Sequence, residues 1–299
     1  MQATNNVLKE TYKSPADVHC SPKMHHHAEK DSTCFSHGEL KMLAGEFNKR
    51  SEKKIKGTKK EIATELLKAY KPICDKSQYC WIKQTLSNTS KISKLESNFR
   101  IPMPESWVKD QNTWLNTYDI LYVMKQYEEL HKEFIFLNVT PIDFAEKNSS
   151  GRCIGDMLCD FDVHDLMNKG KTRFGIVFNT DTSRGPGQHW CTVYCNLNPK
   201  KPNYGIYFYD SVANPCPRQI KAFMKKVVDQ VNDPKFESKE NKIQRQTGGS
   251  ECGMFCIVYL TQCLKHIKHD VICERMGKDD FINSLRKILY SPNHKPKQV

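Results

Sequence analysis

The segment from Gln246 to Leu260 constrains this chain more than any other stretch of its sequence. Up to Glu251 the segment is polar and contains two adjacent glycines, a composition that is typical of a loop. From Cys252 onward it is apolar on almost every side, which predicts a buried helix rather than a helix on the surface. Cys252 is therefore predicted to lie where a loop enters a buried helix.

This predicted position suits a nucleophile. The first N–H groups of a helix have no intrahelical partners, and the positive end of the helix dipole lies beside them. Both features favour a thiolate over a thiol, and the thiolate is the nucleophilic form of cysteine. Cys252 is therefore a candidate catalytic residue.

A nucleophilic cysteine needs a base, and the base needs a partner that orients it. His189 immediately precedes an alternating strand predicted over Trp190–Cys195. Asp210 lies at the end of a second predicted strand, Tyr204–Ser211. If the two strands are antiparallel neighbours, these two ends lie side by side. Asp210 would then hold one ring nitrogen of His189 and leave the other to face Cys252.

Gln246 lies six residues before the cysteine. Its side-chain amide, together with a backbone N–H near Cys252, is expected to form an oxyanion hole. The four candidates follow one another in the order His, Asp, Gln, Cys. Papain-like enzymes place the cysteine first, so this order disfavours a papain-like enzyme.

These residues resemble the adenain and ubiquitin-like-protease clan of cysteine proteases. The likeness rests on the pair His189-Trp190, on a strand that ends in Tyr-Asp-Ser, and on the spacing from Gln246 to Cys252. Within the clan the sequence is most similar to the polyprotein maturation proteases of African swine fever virus and other large DNA viruses. The resemblance covers about residues 40 to 290, and the chain has Glu251 where the clan often has Asp before the cysteine.

The resemblance carries over a catalytic set, namely His189, Asp210, Gln246 and Cys252. It also implies three residues that contact substrate: Trp114, Trp190 and Gly253. In the clan, two aromatic side chains flank a narrow channel that admits only residues without a Cβ atom. The expected substrates therefore carry Gly-Gly before the scissile bond. Packing of Trp114 on the core, as the residue that precedes a helix, is the alternative role for that side chain.

The 299 residues carry a formal net charge of +12, and this charge is unevenly distributed. Residues 1–100 hold 19 Lys and Arg against 11 Asp and Glu, a net charge of +8. The basic excess therefore lies mainly outside the predicted catalytic region. It is compatible with binding to nucleic acid or another acidic partner, and a solvated basic loop is the simpler alternative.

No run of about 18 apolar residues and no apolar secretion signal is present, so neither a membrane span nor secretion is expected. Thirteen cysteines form an odd number without the spacing of a disulfide framework, which favours reduced thiols in a reducing compartment. By resemblance that compartment is the host cytoplasm, with the virion as a second location. The cluster His25–His27 does not match a zinc signature. We expect a monomer without a metal or other cofactor.

The sequence predicts three regions. Residues 1–36 are polar and aperiodic, and we expect a flexible tail there. Residues 37–104 form a basic region that starts with two amphipathic helices, the second ending at Pro72. Cys74 and Cys80 follow and are expected to pack as thiols, with a metal site or a disulfide as the alternatives, and a polar linker covers 84–100. Residues 105–299 form the protease core. Its predicted class is α+β, a mixed or antiparallel sheet of three to five strands with the Cys252 helix packed across it.

The first functional hypothesis is a thiol endopeptidase. Cys252 would attack the carbonyl carbon that follows a small residue, most simply Gly, while His189 takes up the thiol proton. By resemblance the substrates are viral structural polyproteins or core precursors. Two alternatives stay open: a deconjugase for ubiquitin-like modifiers that end in Gly-Gly, and a non-enzymatic basic scaffold that binds nucleic acid.

Overall fold

The computed structural model describes residues 19–110 and 112–291, and the chain divides into two compact units. The described residues of the first unit are 19–109 and 285–291, and those of the second are 110 and 112–284. Residues 285–291, which the sequence assigned to the protease core beyond residue 104, group with the first unit in the structure. Tyr290 packs edge-on against Trp107 with ring centroids 4.8 Å apart, which ties the C-terminal segment to this unit.

The described part of the first unit is helical. Its helices in chain order are α1 (His25–Asp31), α2 (His37–Arg50), α3 (Lys59–Cys74), α4 (Gln78–Thr85), α5 (Thr89–Glu96) and α6 (Ser106–Lys109), with one more short helix at Arg286–Leu289. Capping boxes start α2 and α3, each pairing a hydroxyl residue with a glutamate three positions later. The box formed by Thr58 and Glu61 confirms the start predicted for the second helix.

The prediction of a flexible tail is wrong for residues 19–36, while residues 1–18 lie outside the described residues. Cys20 and Phe35 are fully buried, and the N–H of Ser21 donates to the carbonyl of Asn98 at 2.8 Å. The segment is held by contacts with residues far away in the sequence. Such contacts leave no periodic pattern, and this is why the sequence reads as disordered.

Two predicted breaks in the first unit are also corrected. Helix α3 runs through Pro72 to Cys74, because a proline in the last turn removes only one hydrogen bond of the helix. The predicted linker over residues 84–100 contains α5, whose first turn is capped by the side chain of Asn88 and whose Leu95 is buried. This short helix was missed because most of its residues are polar and only one face makes apolar contacts.

The second unit is built on a five-stranded sheet. Its strands are β1 (Phe134–Pro141), β2 (Arg173–Asn179), β3 (Trp190–Asn196), β4 (Gly205–Tyr209) and β5 (Glu237–Glu240). They lie side by side in chain order. The pairs β1–β2 and β4–β5 are parallel, whereas β2–β3 and β3–β4 are antiparallel. This mixed sheet, together with the helices around it, confirms the predicted α+β class.

Helices pack on this sheet and bury its central strands along their whole length. The helices of this unit are α7 (Thr117–Leu130), α8 (Val163–Asn168), α9 (Arg218–Val231), α10 (Cys252–Leu264), α11 (His269–Arg275) and α12 (Asp279–Ser284). Of these, α7 packs on β1, α9 on β4 and α10 on β3. Successive side chains of β4 point to opposite faces of the sheet, as in any β-strand, and therefore contact different helices. Phe208 joins the core cluster that contains Phe223 of α9, while Tyr209 stacks on Tyr259 of α10 at 4.5 Å. All residues of α10 are buried, as predicted.

Six of the thirteen cysteines form disulfides, which corrects the expectation of reduced thiols throughout the chain. The pairs are Cys20–Cys34, Cys74–Cys80 and Cys153–Cys159. Cys74 ends α3 and Cys80 lies in α4, so the turn between these helices brings together two side chains predicted to pack as thiols. The other seven cysteines, Cys252 among them, are free and buried.

Over residues 19–110 and 112–291, no helix is both long enough and apolar enough to span a bilayer. The same part of the chain contains no cluster of three or more His, Cys, Asp or Glu side chains arranged to hold a metal ion. Two histidines of the cluster contact basic side chains: His25 Nε2 lies 3.0 Å from Arg100 Nη2, and His27 Nδ1 lies 2.9 Å from Lys59 Nζ.

Candidate active site

The pairing of β3 with β4 brings two of the predicted residues together. His189 directly precedes β3, and Asp210 directly follows β4. Because the strands are antiparallel, with Thr192 opposite Tyr209, these ends meet at one edge of the sheet. His189 Nε2 lies 3.0 Å from Asp210 Oδ1. This contact was predicted from the sequence. Because it uses Nε2, Nδ1 of the ring is left for a second partner.

Asp210 is held more firmly than the sequence indicated. Its carboxylate also accepts a hydrogen bond of 2.8 Å from the N–H of Val212. Its backbone is clamped from both sides by Asn241, which accepts from the N–H of Asp210 at 2.8 Å and donates to its carbonyl at 2.7 Å. Asn241 is buried and directly follows β5. Sequence reasoning missed this residue, because its partner lies 31 positions earlier in the chain.

The imidazole of His189 is partly buried, and that burial opposes its charged form. Hydrogen bonds to Asp210 and Cys252, and the negative charge of these groups, outweigh the burial and raise the pKa of His189 to about 9. The ring is therefore protonated at neutral pH. A protonated imidazole next to sulfur attracts negative charge on the sulfur, which is the arrangement that thiol chemistry requires.

Cys252 lies at the first position of α10 and is 1% exposed. The first internal hydrogen bond of the helix runs from the N–H of Phe255 to the carbonyl of Glu251 at 2.9 Å. The N–H groups before Phe255, including that of Cys252, belong to the open helix end. Glu251 does not cap them, because its carboxylate accepts from the N–H and the hydroxyl of Ser250 at 3.1 and 2.7 Å.

Gln246 is buried, and its side-chain amide is held at both ends. The hydroxyl of Ser211 donates to Gln246 Oε1 at 2.6 Å, and Gln246 Nε2 donates to the carbonyl of Gly248 at 2.8 Å. An amide nitrogen carries two hydrogens, and the bond to Gly248 uses one of them. The residue lies in an irregular segment that is anchored to β4 by a bond from its own N–H to the carbonyl of Ser211 at 2.9 Å.

A cavity of about 620 Å³ lies beside the loop that precedes His189, and both predicted aromatic walls line it. Trp190 is buried, and its indole N–H donates to the carbonyl of Leu115 at 3.0 Å. Trp114 is 44% exposed and so is available for contact. The structure thus places these two tryptophans on one cavity, while their contact with substrate stays a prediction.

Gly253 was expected to contact substrate, which stays a prediction, and in the structure it packs closely against its neighbours. The residue is buried on α10, and a Cβ atom added there would lie 3.0 Å from Leu115 Cβ and 3.3 Å from Trp190 Cδ1. Both of these neighbours line the cavity. A glycine at this position therefore permits the close approach that fixes the cavity wall.

The loop that presents His189 is organised by two polar side chains. Asn179 Oδ1 accepts from the N–H groups of Asp181 and Gln188 at 2.9 and 3.1 Å. Asp181 Oδ2 accepts from the N–H of Gly187 at 3.0 Å, and Gly187 has a φ of +94° that disfavours other residues. The loop is therefore shaped in advance, which sets the direction in which the chain enters β3.

Residues 176–290 match the model of the family described as Ulp1 protease family, C-terminal catalytic domain. That range contains the four catalytic candidates. Over these residues the chain is therefore similar to the catalytic domain of Ulp1-like cysteine proteases.

Two viral proteins are similar over most of the chain. One is a thiol protease of Acanthamoeba polyphaga mimivirus, 23% identical over 297 residues, with 91% of this chain and 92% of that protein covered. The other is a cysteine protease of African swine fever virus, 24% identical over 208 residues, with 66% and 73% covered. In some isolates the latter is named SUMO-1 cysteine protease.

The crystal structure of the African swine fever virus protease has the same fold. It matches with a TM-score of 0.65 at 18% identity and covers 95% of this chain and 98% of that one. The likeness bears out the predicted protease fold.

The raised pKa of His189 leads to a measurable titration. Because the pKa of His189 is higher in the folded state than in the unfolded state, protonation of the ring stabilises the folded protein. This stabilisation is complete below the unfolded pKa of 6.5 and is lost as the pH rises through about 9. We expect the imidazole signals of His189, followed by NMR, to titrate near pH 9. Asp210→Asn should lower this midpoint because it removes the negative charge beside the ring.

The signals are assigned by their loss in His189→Ala. A midpoint at or below 6.5 in the wild type would contradict the contacts that we describe between His189, Asp210 and Cys252.

Proposed function

We propose that the chain is a thiol endopeptidase whose catalytic groups are Cys252, His189, Asp210 and Gln246. One observation carries the proposal: His189 Nε2 lies 3.0 Å from Asp210 Oδ1, and both Asp210 and Cys252 raise the pKa of this imidazole. A structural histidine has no need of a thiol partner at the start of a buried helix. A nucleophile, a base and an orienting carboxylate are the groups that acyl transfer requires.

The reaction follows from these contacts. His189 holds the proton of Cys252, and the sulfur attacks the carbonyl carbon of the scissile peptide bond to form a C–S bond and an oxyanion. When the oxyanion collapses, the C–N bond breaks and the leaving amine takes the proton from His189. His189 then removes a proton from water, which attacks the thioester and releases the new carboxylate. The C–S bond breaks when this second tetrahedral intermediate collapses, and the sulfur leaves as a thiolate beside the protonated His189, so the starting pair is restored.

The oxyanion needs donors that are already in place. The second hydrogen of Gln246 Nε2 and the N–H of Cys252 at the open helix end fill this role in the proposal. Loss of one such donor in other enzymes typically costs about 3–4 kcal/mol of transition-state stabilisation. The bonds to Ser211 and Gly248 support the role, because they fix the amide before substrate arrives.

The proposed substrates carry Gly-Gly before the scissile bond, in structural polyproteins or core precursors that are cleaved during virion maturation. The cavity between Trp114 and Trp190 supports a narrow approach, since Trp190 is fixed by Leu115 and packs on Gly253. The viral relatives support the biological setting. The name SUMO-1 cysteine protease, borne by one relative, favours a second candidate, the release of ubiquitin-like modifiers.

We also propose action by a monomer in the host cytoplasm and in the virion. The support is the viral origin of the similar proteases. The three disulfides fit the virion better than the cytoplasm, because the cytosol keeps most thiols reduced.

A peptide series that varies only the two residues before the scissile bond tests the function. We expect cleavage after Gly-Gly and at least a tenfold lower kcat/KM when either Gly becomes Ala, because a Cβ atom clashes with the channel walls. Cys252→Ala should abolish cleavage. Cys256→Ala, one turn further along α10 at another buried free cysteine, is the matched control and should retain it.

Cleavage by Cys252→Ala would overturn the proposed nucleophile. Release of an intact ubiquitin-like protein, without cleavage of any free peptide, would select deconjugation instead.

We further propose that the basic first unit binds a polyanion such as DNA, which would tether the enzyme. The support is the net charge of +8 in residues 1–100. Part of this charge is neutralised within the unit, for example Lys53 by Glu65 and Lys59 by Asp31. The remaining excess is the part available to a partner.

This tether predicts binding that depends on salt. The affinity for duplex DNA, measured by fluorescence anisotropy with Cys252→Ala as the inactive probe, should fall at least tenfold between about 50 and 200 mM salt. Counterion release from the phosphates causes this fall. If no binding to duplex DNA is detected at about 50 mM salt, or if the affinity does not change with salt concentration, the proposed nucleic-acid role is wrong.

A further inference from the structure

Asp279, at the start of α12, reaches back to the loop that carries Gln246. Its carboxylate accepts three hydrogen bonds from that loop. The donors are the N–H of Thr247 at 2.9 Å, the hydroxyl of Thr247, and the N–H of Gly248 at 3.0 Å. No motif or spacing in the sequence singles out this aspartate, because the contact joins positions more than thirty residues apart.

These bonds continue into the oxyanion site. Gly248, whose N–H is held by Asp279, offers its own carbonyl to Gln246 Nε2 at 2.8 Å. Ser211 holds the other end of the same amide through Oε1 at 2.6 Å. The orientation of the amide of Gln246 therefore depends on where the backbone of Gly248 lies, and Asp279 determines that position.

The loop needs such an anchor. It contains Gly248 and Gly249 in succession, and glycine backbones have the widest conformational freedom of any residue. Directly after them, Ser250 is held by Glu251, so Asp279 supplies the restraint on the side nearer Gln246. One carboxylate that accepts from two successive backbone N–H groups fixes the direction of both peptide planes.

We propose that Asp279 is a positioning residue for the oxyanion site, acting through Thr247 and Gly248 to hold the amide of Gln246. The inference rests on the proposed function, because it deepens the role given there to Gln246. It assigns Asp279 no contact with substrate. It predicts an effect on the step that forms the oxyanion and none on the reactivity of the thiol itself.

The test compares Asp279→Ala, Asp279→Asn and the control Asp280→Ala. Asp280 is the neighbouring aspartate on α12 and is exposed. On a Gly-Gly peptide, Asp279→Ala should lower kcat about tenfold to a hundredfold with little change in KM, since a displaced donor weakens only transition-state stabilisation. Asp279→Asn should recover part of the loss, because its amide oxygen still accepts an N–H. Asp280→Ala should match the wild type.

Alkylation of Cys252 by iodoacetamide separates positioning from a collapse of the site, because this reaction forms no oxyanion. Its rate should be the same in Asp279→Ala and the wild type. An unchanged kcat in Asp279→Ala, or a parallel fall in kcat and alkylation rate, would overturn the inference. An active Cys252→Ala variant would instead overturn the proposed function.

The position of the Gln246 amide can also be followed by NMR, which requires no cleavage of a peptide. The side-chain amide signals of Gln246, assigned by their loss in Gln246→Ala, should be a single sharp pair in the wild type. They should broaden or shift in Asp279→Ala and not in Asp280→Ala. Identical signals in all three proteins would overturn the role of Asp279.

Discussion

The antiparallel pairing of β3 with β4 is the constraint on which the rest of the site depends. It brings His189 and Asp210 to one edge of the sheet and holds them 3.0 Å apart. A slip of one residue would turn each side chain to the opposite face of the sheet. The register is secured because both strands are buried between helices, and α10, which begins with Cys252, packs on β3.

The residues at the end of β4 support both the activation of the thiol and the binding of the oxyanion in the proposed mechanism. Asp210 orients the base, and the next residue, Ser211, holds the amide oxygen of Gln246. Asn241 clamps the backbone of Asp210 from the end of β5. A disturbance of this strand end would therefore affect thiol activation and oxyanion binding together, whereas a change at Asp279 reaches only the oxyanion side.

The sequence was enough for the parts whose signal is local. The apolar run after Cys252 indicated the buried helix, and the alternating segments that begin beside His189 and end at Asp210 indicated the paired strands that the structure contains. Asn241 and Asp279 were missed because they act on residues about 30 positions away, and nothing in their local sequence marks such contacts. The folded segment 19–36 was missed for the same reason, since its contacts include the bond from Ser21 to Asn98. The three disulfides join cysteines only 14, 6 and 6 positions apart, and they were missed because an odd cysteine count and the lack of a secretion signal favoured reduced thiols.

The most direct measurement of the central claim is a crystal structure with a peptide aldehyde that ends in Gly-Gly, because its adduct mimics the tetrahedral intermediate. The account predicts a C–S bond to Cys252, an adduct oxygen within hydrogen-bonding distance of Gln246 Nε2 and the N–H of Cys252, and both glycines between Trp114 and Trp190. An adduct on another cysteine, or an oxygen that points away from Gln246, would contradict it.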